Sequence, residues 1–149
     1  MIKKIDHIAF AVKDAAATRE RLEKVYGAKF LIEEKNDKGQ YRVLIFQLGA
    51  DLITLLESTS PDGFVAKHIE KFGEGVQHIG VEVESLEKAK ATFAANGLKY
   101  VPGSDITGVR QEVILGARSA FGVNLQVTEY LGEAKHLSDA ERLKLCWKK

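Results

Sequence analysis

Two histidines occupy matching places in this chain, and an imidazole, which gains and loses its proton near neutral pH, can ligate a metal or move a proton. The segment Ile5-Asp6-His7-Ile8-Ala9-Phe10-Ala11-Val12 aligns with Val76-Gln77-His78-Ile79-Gly80-Val81-Glu82-Val83, histidine on histidine. Both segments read as strands, along which side chains alternate faces. Ile8, Phe10 and Val12 make an apolar row suited to the back of a helix, leaving His7, Ala9 and Ala11 opposite. In the second copy Ile79, Val81 and Val83 form the row, and His78, Gly80 and Glu82 face the other way. A lone core histidine is usually satisfied by backbone groups. Two at matched positions, each followed on its own face by a very small residue, leave open space of the kind a ligand needs. Glu82, four residues beyond His78, is roughly 13 Å away at strand rise, too far to share its ligand.

The elements that position these residues are also written twice, an internal repeat. Ala15 to Tyr26 reads as a helix stopped by Gly27, and Leu86 to Ala95 as a second, with Ser85 as N-cap and Asn96-Gly97 as the stop. Each half continues with strands: Phe30–Glu34, Tyr41–Leu48 and Leu52–Glu57 in the first, Lys99–Val101, Gln111–Leu115 and Val123–Tyr130 in the second. Between them, Pro61-Asp62 opens a helix carrying Phe64, Ala66, His68, Ile69 and Phe72, closed by Gly73. The boundaries expected are a single domain over 1–130, made of a first module (about 1–59), a linker helix (60–74) and a second module (75–130). A tail follows over 131–149, where Ser138-Asp139-Ala140-Glu141 is a capping box for a short helix.

Composition removes several classes of function. A chain of 149 residues, 45% hydrophobic, can bury one ordinary core. Its 22 basic and 21 acidic residues are interspersed, without the basic run that neutralises phosphates, so nucleic acid is not an expected partner. Lys148 and Lys149 read as a solvated tail. No apolar run reaches about 18 residues, so a membrane span is not expected. The start lacks a signal-peptide core and Cys146 is the single cysteine, which together point to the cytoplasm. Cys146 reads as an ordinary residue rather than a nucleophile, and His68 as a surface or packing residue.

A duplicated βαβββ unit with one histidine opening each half resembles the vicinal oxygen chelate superfamily, which includes glyoxalases, bleomycin-resistance proteins and dioxygenases. Ile5-Asp6-His7-Ile8-Ala9, Gly73-Glu74-Gly75-Val76-Gln77-His78-Ile79, Leu55-Leu56-Glu57-Ser58 and the linker Ser60 to Lys67 are similar to methylmalonyl-CoA epimerases in particular. The resemblance runs from about Ile5 to Tyr130. It implies an α+β fold of two tandem modules forming an open eight-stranded cup, and a homodimer. It also implies one divalent transition metal (cobalt, zinc, nickel, manganese or iron) held by the first and last strands of each half. Those positions are His7, Thr54, His78 and Gln126 here. His7, His78 and Gln126 are the candidate metal ligands. Thr54 stands where the family has a carboxylate or amide, and Gln126 where it normally has glutamate, which by resemblance is both ligand and base. Glutamine can ligate weakly through its carbonyl oxygen but cannot accept the proton.

The epimerases' second base falls on Arg42. By alternation Arg42, Leu44 and Phe46 share one face, and the pseudo-twofold relation gives Glu112 and Ile114 the corresponding face of the second half. Glu112 is thus the candidate catalytic carboxylate, a relocated base or replacement ligand. Arg42, Thr54, Leu44 and Phe46 are the candidate substrate-binding residues. The resemblance implies an isomerase or lyase that removes a proton next to a carbonyl or thioester. Its substrate would be an acyl-CoA or a 2-oxoaldehyde adduct. The alternative is a metal-free small-molecule-binding protein of the bleomycin-resistance kind, which Thr54 and Gln126 favour and the histidine pair disfavours. Ring-cleaving dioxygenase chemistry ranks last, because Gln126 breaks its two-histidine, one-glutamate iron set.

Overall fold

The computed structural model describes residues 1–147; Lys148 and Lys149, read above as a solvated tail, lie outside the described residues. Contacts divide the chain into two compact units, His7–Gln77 and the combination of Met1–Asp6 with everything from His78 onward. The first strand, β1 (Ile2–Ala11), therefore gives its opening residues to the second unit and the rest, from His7, to the first.

In the first unit β1 is followed by α1 (Ala15–Tyr26), β2 (Lys29–Asn36), β3 (Tyr41–Leu48), β4 (Asp51–Ser58) and α2 (Phe64–Phe72). The strands pair in the order β2-β3-β4-β1, with β1 parallel to β4 and the others antiparallel. Asp14 caps α1 by accepting from the Ala17 N–H at 3.0 Å, and Gly27, at φ +68°, ends it in the left-handed conformation that a side chain disfavours. One sheet face packs on α1 through Val12, Ala15, Leu44, Phe46, Ile53 and Leu55.

The second unit repeats the plan. β5 (Gly75–Val83), α3 (Leu86–Ala95), β6 (Tyr100–Pro102), β7 (Arg110–Leu115) and β8 (Asn124–Tyr130) follow in turn, and the strands pair β5-β8-β7-β6. Ser85 caps α3, accepting from the Lys88 N–H at 3.2 Å. Val81, Val83, Val113, Leu115, Leu125 and Val127 make the core on the α3 side. A 3-10 turn (Gly132–His136) leads into α4 (Asp139–Cys146), whose capping box, Ser138 with Glu141, forms as the sequence indicates.

The α+β class and the two βαβββ modules expected are those found, with element ends displaced by up to three residues. Among the described residues no helix is long and apolar enough to cross a membrane.

One device is duplicated as closely as the strands. Glu57 of β4 accepts from the Ala15 N–H at the start of α1 (2.6 Å), and Glu129 of β8 from the Leu86 N–H at the start of α3 (2.8 Å). A carboxylate at these free backbone donors pins each helix to its sheet.

Candidate functional site

Register decides which side chains share the faces away from α1 and α3. In the first unit Ala9 pairs with Thr54 and Thr54 with Ile45, while Ala11 pairs with Leu56 and Leu56 with Val43. In the second, Gly80 pairs with Gln126 and Gln126 with Ile114, while Glu82 pairs with Thr128 and Thr128 with Glu112. Thr54 and Gln126 therefore do occupy equivalent places. The counterpart of Glu112 is Val43.

The expectation for Arg42, Leu44 and Phe46 is corrected by the same register. They do share one face, but it is the α1 side: Leu44 and Phe46 are buried in the α1 core. Arg42 lies across from Glu57 and binds it through Nε (3.0 Å) and Nη2 (2.9 Å), with Nη1 2.9 Å from Glu33. None of the three stands on the face of Thr54. Thr54 itself is buried, between alanine and isoleucine neighbours.

In the second unit Gln126 and Glu112 meet. Gln126 donates through Nε2 to Glu112 Oε2, which also lies 3.4 Å from Thr128 Oγ1. The Ser104 N–H donates to Glu112 Oε1 at 2.7 Å, and the Arg110 Nε stands 3.8 Å from Oε2. Glu112 is 4% exposed, and the loop before β7 closes on it: a Cβ on Gly103 would stand 2.4 Å from Glu112 Cγ. The Arg110 Nε is buried without a hydrogen bond. Burial works against the charge on Arg110, and the nearby Glu112, Cys146, Tyr130 and Asp6 outweigh it.

Further along this face the tail supplies residues that the sequence did not single out. Arg142 of α4 is buried and grips Glu82 with both terminal nitrogens, at 2.8 and 3.2 Å, while Lys3 reaches the same carboxylate at 3.1 Å. Its guanidinium lies 3.9 Å above the Tyr130 ring, and its Nε donates to the Ala134 carbonyl at 2.7 Å. Burial would raise the Glu82 carboxyl, but Arg142 and Lys3 outweigh it and hold it below the usual carboxylate range. Tyr130 donates to Asp6 at 2.9 Å; burial and that carboxylate push its own ionisation far up. Burial also pushes the Cys146 thiol up, as suits an ordinary cysteine. His68 packs against Phe72, and burial lowers its pKa.

His78 lies across from Asn124, two positions before Gln126 on the same face. The Gln126 Nε2 donates to Glu112 Oε2, which leaves the amide oxygen turned away from that carboxylate. Imidazole and amide oxygen fit a divalent transition metal, as a neutral set that holds it less tightly than one with carboxylates. Among the described residues no three His, Cys, Asp or Glu side chains gather as a metal cluster.

Two βαβββ units, a histidine in the first strand of each and the equivalent last-strand positions Thr54 and Gln126 define the class. The chain belongs to the glyoxalase/bleomycin resistance protein/dioxygenase superfamily, whose model matches residues 6–113. A solved hypothetical protein of Bacillus halodurans C-125 is 30% identical, with 85% of this chain and 93% of that one covered, at a TM-score of 0.76. A variant of the Streptomyces coelicolor methylmalonyl-CoA epimerase, in complex with 2-nitronate-propionyl-CoA, is 26% identical over 87% of this chain and 98% of that one, at 0.75. The uncharacterized protein YqjC of Bacillus subtilis (strain 168) is 25% identical over 134 residues, 89% of this chain and 96% of its own length.

Proposed function

We propose that the chain binds a small carbonyl or thioester compound, of the acyl-CoA or 2-oxoaldehyde-adduct kind, and keeps the binding part of its family's chemistry rather than the carboxylate base. The observation that carries this is the commitment of both carboxylates on the second unit's polar face. Glu82 is held by Arg142 and Lys3, and Glu112 by Ser104, Gln126 and Thr128. Both are taken up by donors of the chain itself, and Thr54 and Gln126 cannot accept a proton at neutral pH.

The presentation of Gln126 favours a second reading, a metal-dependent isomerase or lyase. In it His78 and Gln126 would hold a divalent cobalt, zinc, nickel, manganese or iron ion, and His7 is the corresponding candidate ligand of the first unit. When bound, the metal polarises a carbonyl. The homodimer belongs to the same proposal and is checked by sedimentation.

The test is calorimetric titration with propionyl-CoA and methylmalonyl-CoA, before and after loading with cobalt, with deuterium uptake next to the thioester followed in heavy water. Binding without deuterium uptake supports the first reading. Uptake that requires cobalt and disappears in His78→Ala supports the second. No binding of either compound under either condition sinks both.

A further inference from the structure

We infer that Glu112 is a positioning residue: it fixes the polarity of the Gln126 amide, so that the sheet face carrying His78 offers a carbonyl oxygen rather than an NH2 group. The inference rests on the reading of this face as the ligand-binding one and specifies what that face can bind.

A glutamine amide presents an acceptor on one side and donors on the other, and nothing in its own shape favours either orientation. Here one neighbour decides. Glu112 is buried, and its Oε1 is anchored by the Ser104 N–H at 2.7 Å, so the carboxylate cannot swing away. The backbone around it is fastened as well: the Glu112 N–H donates to Asp105 Oδ1 at 2.9 Å, and the Gly103 N–H to the Glu112 carbonyl at 3.0 Å. Gly103 lies against the side chain, so closely that a Cβ there would stand 2.4 Å from Glu112 Cγ. The remaining oxygen, Oε2, takes the Gln126 Nε2. A flipped amide would set two acceptors against each other in a buried place, at a cost that the chain avoids by holding one orientation.

The consequence is selective. An outward carbonyl oxygen receives a metal cation or an N–H or O–H donor and repels a carboxylate. The first unit has no such control, because the position equivalent to Glu112 is Val43. Glu112 acts through Gln126 and touches no ligand itself. Carboxylates placed behind ligating groups typically alter metal affinity by roughly 10- to 100-fold.

The experiment has two parts. In the native chain, nuclear magnetic resonance of the side-chain amides should show the two Gln126 Nε2 protons widely separated, one of them protected from solvent exchange. In Glu112→Gln the separation should collapse toward that of the exposed Gln40. Cobalt affinity, read by visible absorption, should fall roughly 10- to 100-fold in the same variant. Gln126 protons that already resemble those of Gln40 in the native chain, or that do not respond to Glu112→Gln, would overturn the inference. The native-chain measurement needs no variant to fold. If neither chain binds cobalt, the metal reading of the face fails, and the amide protons alone decide the positioning role. If cobalt binds both equally, the metal reading stands and Glu112 loses its role.

Discussion

In the first unit the sheet face away from α1 carries Ala9, Ala11, Val43, Ile45, Thr54 and Leu56; in the second the equivalent places hold Gly80, Glu82, Glu112, Ile114, Gln126 and Thr128. The scaffold is the same, down to the glutamate that pins each helix. The chemistry is not. Four apolar or threonine positions of one copy have become a hydrogen-bonded polar set in the other, where Arg142 and Arg110 add charge. Duplication thus preserved what makes a βαβββ unit fold, the helix-side core and the Glu57 and Glu129 anchors. It left the opposite face free to diverge, because strand alternation lets one face change without disturbing the other.

The comparison can be broken most forcefully at Arg142. Removing it with Arg142→Ala leaves buried Glu82 with the half-exposed Lys3 alone and should cost about 3 kcal/mol in urea denaturation. Val65→Ala in α2, fully buried in the first unit, should cost roughly 2 kcal/mol. Equal losses would mean that the charged face is no more dependent on its tail than the apolar one is on its linker. The shared anchors give a smaller, matched effect. Glu57→Gln and Glu129→Gln should each lower stability by about 1 kcal/mol; a large inequality would show that the copies differ in their scaffold too.

The smallest effect is in the pH dependence. The Glu82 carboxyl is lower in the folded chain than its ordinary value of 4.5. Its stabilisation is therefore complete above that value and is lost as the pH falls through the lowered one. Trp147, the single tryptophan, whose N–H donates to the Leu143 carbonyl at the end of α4, should report an acid step below pH 4.5 as the tail loosens. The step should shrink in Glu82→Gln, leaving the response of Glu141, whose carboxyl the Ser138 backbone and hydroxyl also hold down.

The fold was legible because the repeat is written in hydrophobic phase, caps and glycine stops, which are local. The face of β1 was legible for the same reason: Ile8, Phe10 and Val12 alternate with His7, Ala9 and Ala11. The phase of β3 was not. Val43, Leu44, Ile45 and Phe46 are all buried, and an apolar run of four carries no alternation from which to choose the helix side. Arg42, Leu44 and Phe46 were accordingly assigned one face too far. Glu112 was matched to that same row, whereas its counterpart is Val43, and its contact with Gln126 was not foreseen. Glu82 was set aside on its distance from His78, and its partner Arg142 comes from a tail whose capping box announces a helix but not its docking surface.

Gly103 and Glu112 exclude each other's growth, since a Cβ on the first would stand 2.4 Å from a carbon of the second. A larger residue at 103 would have to displace the acid, and with it the partner that orients the Gln126 amide, so the bare backbone at 103 and the polarity of that amide form one inherited trait.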